Sequence, residues 1–335
     1  MENIHHLLSP YPRTELLRQP TPLDHMNRLS ERLGIDLWLE RDDLTGVSMG
    51  GNKTRQLEYY FGAAQELSAD TILITGAVQS NYVRTAGTIA AMMGMKAVLQ
   101  LEQRVTGKGA LYHASGNVLL GKLVGAEYMS FADGENEVGA DAALRARADA
   151  VRRQGGRPYV IHLGLGHPPL GALGYIRAGA ELAGQMNDFD VVVVPSGSGA
   201  THGGLLTGLR LSGMMAEVLG ICVRRDGAQQ LARLDRLTTG IAGLVGIDRP
   251  FGKDQINVWD GALAPGYGQI GDKTRSAIEL MLRCEGVLLD PVYTGKTFAG
   301  LLDLVSNGTI QPGQKVVMLH TGGQAAVFAY QEELA

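Results

Sequence analysis

The stretch Asp190-Val191-Val192-Val193-Val194-Pro195-Ser196-Gly197-Ser198-Gly199-Ala200-Thr201 joins an unbroken apolar run to a glycine-rich turn. The run over 190–194 predicts a fully buried strand, and the pattern over 205–215 predicts a helix after the turn. Free backbone N–H groups and the helix dipole at such a helix start favour an anion, so residues 197–204 predict a phosphate-binding loop. The alternative is a glycine turn that serves tight packing alone.

Short apolar runs alternate with helical patterns along the rest of the chain. The predicted strands lie at 71–75, 97–101, 158–161, 217–223 and 315–320, and the predicted helices lie at 83–93, 139–154 and 170–184. Strands that are apolar throughout and separated by helices are typical of parallel sheets covered on both faces. We therefore predict an α/β protein, and the length of 335 residues favours two domains.

Composition and charge narrow the function classes. A net charge of -4 and a pI of about 6.1 give no reason to expect nucleic-acid binding, and no apolar run is long enough to span a membrane. The N-terminus lacks the basic and apolar regions of a signal peptide. Cys222 and Cys284 have neither metal-site nor redox-pair spacing, so we expect free thiols in a cytoplasmic protein without a metal.

A lysine stands in the glycine-bracketed stretch Gly50-Gly51-Asn52-Lys53-Thr54-Arg55, just ahead of an apolar helical run. A solvated loop lysine is the ordinary interpretation. A desolvated amine at the edge of a cleft can instead attack a carbonyl and hold it as a Schiff base. We favour the second interpretation because the phosphate-binding loop and a further polar motif, Gln79-Ser80-Asn81, accompany the lysine.

Polar residues also follow other predicted strands. Gln79-Ser80-Asn81 begins a predicted helix and suits a small carboxylate, although an N-cap serine without a further role is the alternative. Tyr293 and Thr294 precede another helix, and Tyr267 is an aromatic residue in a loop. Because ligands bind at the carboxyl ends of parallel strands, we expect these groups at one site. A lysine, a phosphate loop and a carboxylate site together fit pyridoxal phosphate, an electron sink, with an amino-acid substrate.

These motifs resemble the family that contains D-cysteine desulfhydrase, L-cysteate sulfo-lyase and 1-aminocyclopropane-1-carboxylate deaminase. The likeness runs from Thr21-Pro22-Leu23 and Glu40-Arg41-Asp42-Asp43 to Gly323, and Gly-Asn-Lys-Thr-Arg, Gln-Ser-Asn and Asp-Pro-Val-Tyr carry it together. The resemblance implies the tryptophan-synthase-β-like fold of type II pyridoxal phosphate enzymes, as two three-layer parallel-sheet domains, and a homodimer.

The same resemblance implies a domain organisation. A small domain at 54–161, which carries the Gln-Ser-Asn carboxylate loop, is expected as an insertion in a large cofactor-binding domain of 1–53 and 162–335. The Gly/Pro-rich segment 162–169 suits a hinge between the two domains.

Roles of single residues are implied by position in the family. Lys53 is similar to the Schiff-base lysine, Asn81 to the residue that hydrogen-bonds the phenolic oxygen of the cofactor, and Ser80 to the serine beside the substrate carboxylate. The match to the phosphate loop comprises Gly197, Ser198, Gly199, Ala200 and Thr201. The matches to two active-site tyrosines are Tyr267 and Tyr293. The residues expected at the substrate are Gln79, Ser80, Asn81 and Tyr82.

Three departures from the family pattern narrow the activity. The cyclopropane deaminases have a glutamate facing the pyridine nitrogen where this chain has Thr294. A neutral hydroxyl at the cofactor implies a weaker electron sink, which disfavours opening an unactivated cyclopropane. Desulfhydrases typically have histidine at the place of Tyr82, and the family often has lysine at the place of Gln56.

We therefore expect a pyridoxal phosphate-dependent carbon–sulfur lyase that forms pyruvate and ammonia from a cysteine-class amino acid. The departures at Tyr82 and Gln56 favour L-cysteate, with release of sulfite. Arg84 and His320 are candidates for binding the sulfonate, and a structural role is the alternative for each. D-Cysteine, with release of sulfide, is the alternative. A cyclopropane deaminase and a non-catalytic cofactor-binding protein are less favoured, and the sequence offers no second-substrate site for a β-replacement synthase.

Overall fold

Two β-sheets organise the fold of the computed structural model, which describes residues 2–335. The strands of these residues are β1 (Leu23–His25), β2 (Asp36–Glu40), β3 (Thr71–Ala77), β4 (Lys96–Glu102), β5 (Glu127–Phe131), β6 (Pro158–Ile161), β7 (Val191–Ser196), β8 (Glu217–Cys222), β9 (Asn257–Trp259) and β10 (Lys315–Leu319). The larger sheet has the order β1-β2-β10-β7-β8-β9, and the smaller sheet has the order β5-β4-β3-β6.

Helices separate most of these strands. In the same part of the chain they are α1 (Glu2–Leu8), α2 (Asn27–Leu33), α3 (Lys53–Glu66), α4 (Asn81–Met92), α5 (Gly116–Leu123), α6 (Glu137–Arg153), α7 (Leu170–Gln185), α8 (Ala200–Leu211), α9 (Gly227–Val245), α10 (Asp272–Glu285), α11 (Thr294–Ser306), α12 (Ala325–Ala329) and α13 (Gln331–Leu334). Single turns of 3-10 helix lie at Asp42–Leu44 and Lys253–Gln255. None of the helices within 2–335 is long and apolar enough to cross a membrane.

The predicted α/β class with mostly parallel sheets is confirmed. Every strand pair is parallel except β1 with β2, which is antiparallel. This pair departs from the prediction because β1 is a three-residue edge strand, and an antiparallel edge is tolerated on an otherwise parallel sheet. Strands β3 and β7 are buried at every residue, which explains their unbroken apolar sequences.

The glycine-rich segment after β7 is shared between a loop and a helix. Helix α8 begins at Ala200 and ends at Leu211, so both ends precede those predicted from the pattern over 205–215. It starts directly after Gly199, whose φ of +99° is a left-handed conformation that favours glycine. Gly204 therefore lies inside the helix, where a Cβ would come within 2.5 Å of the carbonyl oxygen of Ala172 in α7. Tight packing, which was the alternative to phosphate binding, therefore explains Gly204. Residues 197–201 remain available to a ligand.

The carboxyl ends of strands from both sheets open into one cavity. Its walls include residues at or just beyond the ends of β3, β4, β7, β8 and β10, namely Ala77, Arg104, Gly197, Arg224 and Thr321. All four strands of the smaller sheet come from 71–161, and all strands of the larger sheet come from outside that range. The domain boundaries after 53 and 161 stay a prediction.

Candidate active site

The cavity between the sheets, called the active-site cavity below, collects most of the residues that the sequence singled out. Among the predicted site residues, only Gln79, Thr294 and the sulfonate candidates Arg84 and His320 are not part of its walls. Those present are Lys53, Ser80, Asn81, Tyr82, Gly197, Ser198, Gly199, Ala200, Thr201, Tyr267 and Tyr293. The sequence motifs, which are far apart in the chain, therefore face a common space.

Lys53 is the first residue of α3 and lines this cavity. The loop before it requires glycine, because Gly50 has a φ of +63° and a Cβ there would overlap the carbonyl group of Asp43. The Lys53 Nζ donates a hydrogen bond to Gln56 Oε1 at 3.2 Å and lies 5.2 Å from the centroid of the Tyr82 ring. Burial without a compensating charge lowers the pKa of the amine to about 8. A fraction of the amine is therefore neutral, and so nucleophilic, near neutral pH.

Gln56 connects the lysine to the phosphate-binding loop. Its Nε2 donates to Thr201 Oγ1 at 2.8 Å, and Asn52 Nδ2 donates to the same oxygen at 2.8 Å. Because the hydroxyl of Thr201 accepts two hydrogen bonds, its own proton is left to donate to an acceptor in the cavity. The sequence singled out Gln56 only as a departure from the family pattern, and its position as the link between Lys53 and Thr201 was missed.

The loop between β7 and α8 presents donors without partners. The backbone N–H groups of residues 197–201 make no hydrogen bond to any other residue that the structure describes. They lie at the start of a twelve-residue helix, where the helix dipole adds a partial positive charge. This geometry suits a bound phosphate group.

Two arginines hold the outer side of that loop. Arg233 Nε donates to the carbonyl oxygen of Ser198 at 2.9 Å, and Arg225 Nη1 donates to that of Gly197 at 3.3 Å. Both arginines also contact Glu137 of α6, at 3.4 Å and 2.9 Å respectively. The loop carbonyls therefore have donors of their own behind the cavity wall, and the loop is tied to a helix that packs on the smaller sheet.

Ser80 and Asn81 stand at the start of α4. Ser80 Oγ accepts a hydrogen bond from the N–H group of Val83 at 3.3 Å, so Ser80 is the N-cap of α4. Both residues also line the cavity. Asn81 Oδ1 accepts from Asn117 Nδ2 at 2.8 Å, which leaves the amide nitrogen of Asn81 free to donate.

Gln79 does not reach the cavity. Its Nε2 donates to the carbonyl oxygens of Tyr112 and Ser115, at 2.6 and 3.0 Å, and its Oε1 accepts from the N–H group of Asn117 at 2.9 Å. The amide therefore pins the segment before α5 against the start of α4. Contact of Gln79 with a substrate stays a prediction, and no motif in the sequence pointed to its partner Asn117.

Two tyrosines share a hydrogen bond on the opposite wall. The hydroxyl groups of Tyr267 and Tyr293 are 2.8 Å apart. Burial, and then the neighbouring Tyr267, raise the pKa of Tyr293 well above its ordinary value. Tyr293 is thus protonated at neutral pH, and its hydroxyl can donate a hydrogen bond.

Thr294 is buried beneath the cavity wall. Its hydroxyl donates to Asp290 Oδ1 at 2.8 Å and accepts from the N–H group of Asp290 at 2.7 Å. The same carboxylate accepts the N–H groups of Val292, Tyr293 and Thr294, which fixes the turn that presents Tyr293. The hydroxyl is committed to this turn, so its predicted contact with the cofactor stays a prediction.

The cationic side chains at the cavity differ from those expected. Arg84 is buried outside the cavity wall, where its Nη2 donates to the carbonyl oxygen of Gly50 at 3.3 Å, and both ring nitrogens of His320 have backbone partners. The arginines that line the cavity are Arg104, Arg224 and Arg233. Arg104 and Arg224 each follow the end of a parallel strand, β4 and β8, so the strand-end rule could have found them.

The fold and the cavity define a class of protein. A partly neutral lysine amine, a cradle of free N–H groups at a helix start and a hydroxyl with a proton to donate fit pyridoxal phosphate, which carries an aldehyde and a phosphate. The class is therefore an α/β enzyme that uses this cofactor at the carboxyl ends of two parallel sheets.

Comparison with known proteins identifies the family. The sequence model described as "Pyridoxal-phosphate dependent enzyme" matches residues 14–322. The chain is 40% identical over 330 residues to D-cysteine desulfhydrase of Salmonella choleraesuis (strain SC-B67), covering 98% of both chains. The chain belongs to this family and is a pyridoxal phosphate-dependent enzyme, a lyase, which confirms the resemblance and the cofactor.

Solved structures agree with the assignment of the fold. A crystal structure of an ACC deaminase homologue has a TM-score of 0.89 at 36% identity and covers 100% of this chain and 98% of its own. The processed form of threonine deaminase isoform 2 from Solanum lycopersicum has a TM-score of 0.64 at 15% identity, with 100% and 88% covered, and shows the fold alone. The fold type II prediction is thus confirmed.

Proposed function

We propose that this protein is a carbon–sulfur lyase that converts D-cysteine into pyruvate, ammonia and sulfide. The observation that carries the proposal is the buried amine of Lys53, with a pKa of about 8, in the same cavity as the free N–H groups of 197–201. The relative named D-cysteine desulfhydrase, 40% identical over 98% of the chain, favours this substrate over the L-cysteate that the sequence departures favoured.

Each part of the cavity has a role in this reaction. Bound pyridoxal phosphate supplies the electron sink that makes the substrate α-proton acidic. The N–H groups of 197–201 and the hydroxyl of Thr201 would hold its phosphate, and the amide nitrogen of Asn81 would donate to the ring side of the cofactor. Lys53 would hold the cofactor through its amine and would accept the substrate α-proton, because an amine with a pKa of about 8 is partly neutral at physiological pH.

The substrate is oriented between the two walls. The start of α4, with Ser80 as its cap, binds the substrate carboxylate through backbone N–H groups and the helix dipole. A thiolate leaving group, with a reference pKa of about 8.5, departs more readily when it is protonated. The hydrogen-bonded pair Tyr267 and Tyr293, whose hydroxyl groups are 2.8 Å apart, would stabilise the departing sulfur by donating a hydrogen bond to it.

A sulfonate substrate such as L-cysteate is the second candidate, and the arginines of the cavity favour it. Arg224 has a side chain that is only 7% exposed, and its Nε is buried without a partner among the described residues. Arg104 lies close enough to Tyr293 for its positive charge to oppose the rise in the pKa of that tyrosine. A second anionic group on the substrate would find a cation at either position.

The quaternary state and the location belong to the same proposal. The family resemblance supports a homodimer, and the free thiols of Cys222 and Cys284 support a reducing compartment, the cytoplasm. Light scattering coupled to size exclusion tests the first statement directly, and a mass of one chain, 35.7 kDa, would contradict it.

The proposal is tested by offering cofactor-loaded enzyme D-cysteine, L-cysteine, L-cysteate and D-cysteate separately, with pyruvate, sulfide and sulfite all measured. We expect pyruvate and sulfide in equal amounts from D-cysteine. Sulfite from L-cysteate alone would replace the first candidate with the second. A cofactor-bound protein inert to all four would favour a non-catalytic binding protein.

Arginine variants separate the two candidates further. Arg224→Gln should leave turnover of D-cysteine within about threefold, but it should lower kcat/KM for L-cysteate by about tenfold or more if a sulfonate binds there. Arg147→Gln is the matched control. Arg147 is paired with Glu127 at a distance of 2.7 Å, and it does not line the active-site cavity. A drop for both substrates alike would assign Arg224 to the support of the fold.

A further inference from the structure

Three side chains with metal-ligating atoms meet beside the active-site cavity. Asp141 lies on α6, and His162 and His167 lie in the connection between β6 and α7. Asp141 Oδ1 is 3.1 Å from His162 Nδ1, and Asp141 Oδ2 is 3.1 Å from His167 Nε2. The imidazole rings stack with centroids 3.5 Å apart, and the ligand atoms of the three residues all lie within 4.8 Å of one another.

One oxygen of Asp141 distinguishes this cluster from an ordinary His–Asp contact. The side chain is 8% exposed, yet Oδ1 has no hydrogen bond to any residue in 2–335, and the facing Nδ1 of His162 has none either. A buried carboxylate oxygen without a donor is unfavourable. In the tautomer of His162 that carries its proton on Nε2, both facing atoms have lone pairs to offer, and a cation between them satisfies both at once.

We propose that Asp141, His162 and His167 bind a divalent transition-metal ion of the Zn²⁺ class. Bonds of about 2.0–2.2 Å to nitrogen and oxygen place the ligands of a tetrahedral ion about 3.3–3.6 Å apart, within the 4.8 Å that encloses one ligand atom from each of the three residues. Two imidazoles and a carboxylate, without a thiolate, favour Zn²⁺, Co²⁺ or Ni²⁺ over Cu⁺ or Mg²⁺. The histidine side chains are 18% and 31% exposed, so water can complete the coordination.

The ion would act as a clamp between two parts of the fold. His162 and His167 both line the active-site cavity, and they flank the segment 163–166 of the predicted hinge. Asp141 lies one turn after Glu137, whose carboxylate holds the arginines behind the phosphate-binding loop. Metal binding therefore fixes the cavity wall against α6. This inference concerns a site apart from Lys53 and does not depend on the proposed substrate.

The test is a Zn²⁺ titration of cofactor-loaded enzyme that has been stripped with a chelator, followed by calorimetry. We expect about one tightly bound equivalent in the unaltered protein, with affinity lowered at least about tenfold in His167→Ala and in Asp141→Asn. Titration with Co²⁺ gives a second readout, a visible ligand-field band that the same two variants lose. His167 is partly exposed, so His167→Ala keeps the test valid if Asp141→Asn does not fold.

His25→Ala is the matched control. His25 Nε2 lies 2.9 Å from Asp36 Oδ1, the same kind of pair without a second histidine, so this variant should retain the full Zn²⁺ affinity. Absence of saturable binding, or binding that His167→Ala leaves unchanged, would overturn the proposal. The cluster would then be a hydrogen-bonded His–Asp–His arrangement only.

Discussion

Folding of the cofactor-free protein disfavours the charged form of the Lys53 amine. Burial lowers its pKa from 10.5 to about 8. Below pH 8 the lysine is charged in both the folded and the unfolded chain, and only in the folded chain is that charge partly withdrawn from solvent. The charged amine of Lys53 therefore lowers the free energy of unfolding of the cofactor-free protein at neutral pH.

Lys53→Met should stabilise the cofactor-free protein while it abolishes turnover. Near neutral pH we expect the free energy of unfolding to rise by about 1–3 kcal/mol, because the buried charge is removed. The gain should shrink as the pH rises from about 8 to 10.5, where the unfolded lysine also becomes neutral. Urea unfolding across that range measures the effect.

Lys296→Met is the matched control for this prediction. Burial also lowers the pKa of Lys296 to about 8, but its Nζ donates to the carbonyl oxygens of Leu263 and Gly266 at 2.7 and 2.6 Å. Its removal leaves two buried carbonyl groups without a donor and should destabilise the protein. Equal destabilisation by both substitutions would show that Lys53 is solvated or paired in the folded state.

Thr201→Val should weaken cofactor binding. The hydroxyl that accepts from Asn52 and Gln56 has one proton to donate, and a hydrogen bond to a charged phosphate is worth about 1.5–3 kcal/mol. We expect an increase of about tenfold or more in the Kd for pyridoxal phosphate, measured by absorbance titration. Thr207→Val, in the same helix but bonded to the carbonyl oxygen of Gly203, should leave the Kd unchanged. Equal Kd values for both variants would contradict the account.

At the scale of single residues, the sequence indicated which side chains face the cavity better than it indicated what they contact. Lys53 and the loop 197–201 were predictable because a glycine-flanked lysine and a strand–glycine–helix pattern are local signals. The partners of Gln79 and Thr294 were not, because those side chains meet backbone groups whose positions depend on the tertiary fold. Arg104 and Arg224 could have been predicted, because each follows the carboxyl end of a parallel strand, where ligands bind. Neither residue lies in a recognisable motif.

Helices α7 and α8 pack closely because glycines face the neighbouring backbone. A Cβ on Gly208 would overlap the carbonyl group of Ile176, and its distance from the carbonyl carbon would be 2.9 Å. Gly208→Ala should therefore force the helices apart and lower the free energy of unfolding by about 1–3 kcal/mol, measured by urea unfolding.

Gly243→Ala, in α9, is the control for Gly208→Ala, because it makes the same substitution within a helix without a close neighbour. A Cβ on Gly243 meets nothing within 4 Å, so the substitution should stabilise the protein by up to about 1 kcal/mol through helix propensity alone. If Gly208→Ala were as harmless as Gly243→Ala, the helices would not be in the close contact that the structure shows.

At the scale of elements, hydrophobic patterning predicted the buried parallel strands and the helices between them. Strands β3 and β7 are buried along their whole length, so their sequences are apolar at every position and easily recognised. The edge strand β1 has three half-buried residues and therefore lacks a pattern. The early start of α8 was missed because glycines lower helix propensity, and only contact with α7 makes them favourable there.

Glu137 connects the two parts of the whole molecule. From α6, which packs on the smaller sheet, its carboxylate reaches Arg224, Arg225 and Arg233 beside the larger sheet at 3.4, 2.9 and 3.4 Å. Burial opposes the charge, but Arg233, Arg225 and Arg224 outweigh it and hold the pKa of Glu137 below its ordinary value. The stabilisation is thus present above the ordinary carboxyl pKa of 4.5 and is lost as the pH falls through the lower folded value.

Glu137→Gln should destabilise the protein at neutral pH by about 1–2 kcal/mol and weaken cofactor binding, because the arginines behind the phosphate-binding loop lose their counter-charge. Urea unfolding and cofactor titration measure the two effects, and the stability difference should disappear at acidic pH. Glu127→Gln, which removes an exposed pair with Arg147, should change stability by about 0.5 kcal/mol or less. If Glu137→Gln and Glu127→Gln had the same stability, the contacts of Glu137 with the arginines would not stabilise the protein.

The most direct test of the central claim is the release of sulfide and pyruvate from D-cysteine by the unaltered enzyme and by Lys53→Ala, both with the cofactor added in excess. We predict equal amounts of the two products from the unaltered enzyme and no steady-state turnover by the variant, since Lys53 is proposed as both the anchor of the cofactor and the base. A variant that retained more than about 1% of the rate would contradict this account, because loss of a general base alone lowers rates by about 10²–10⁴.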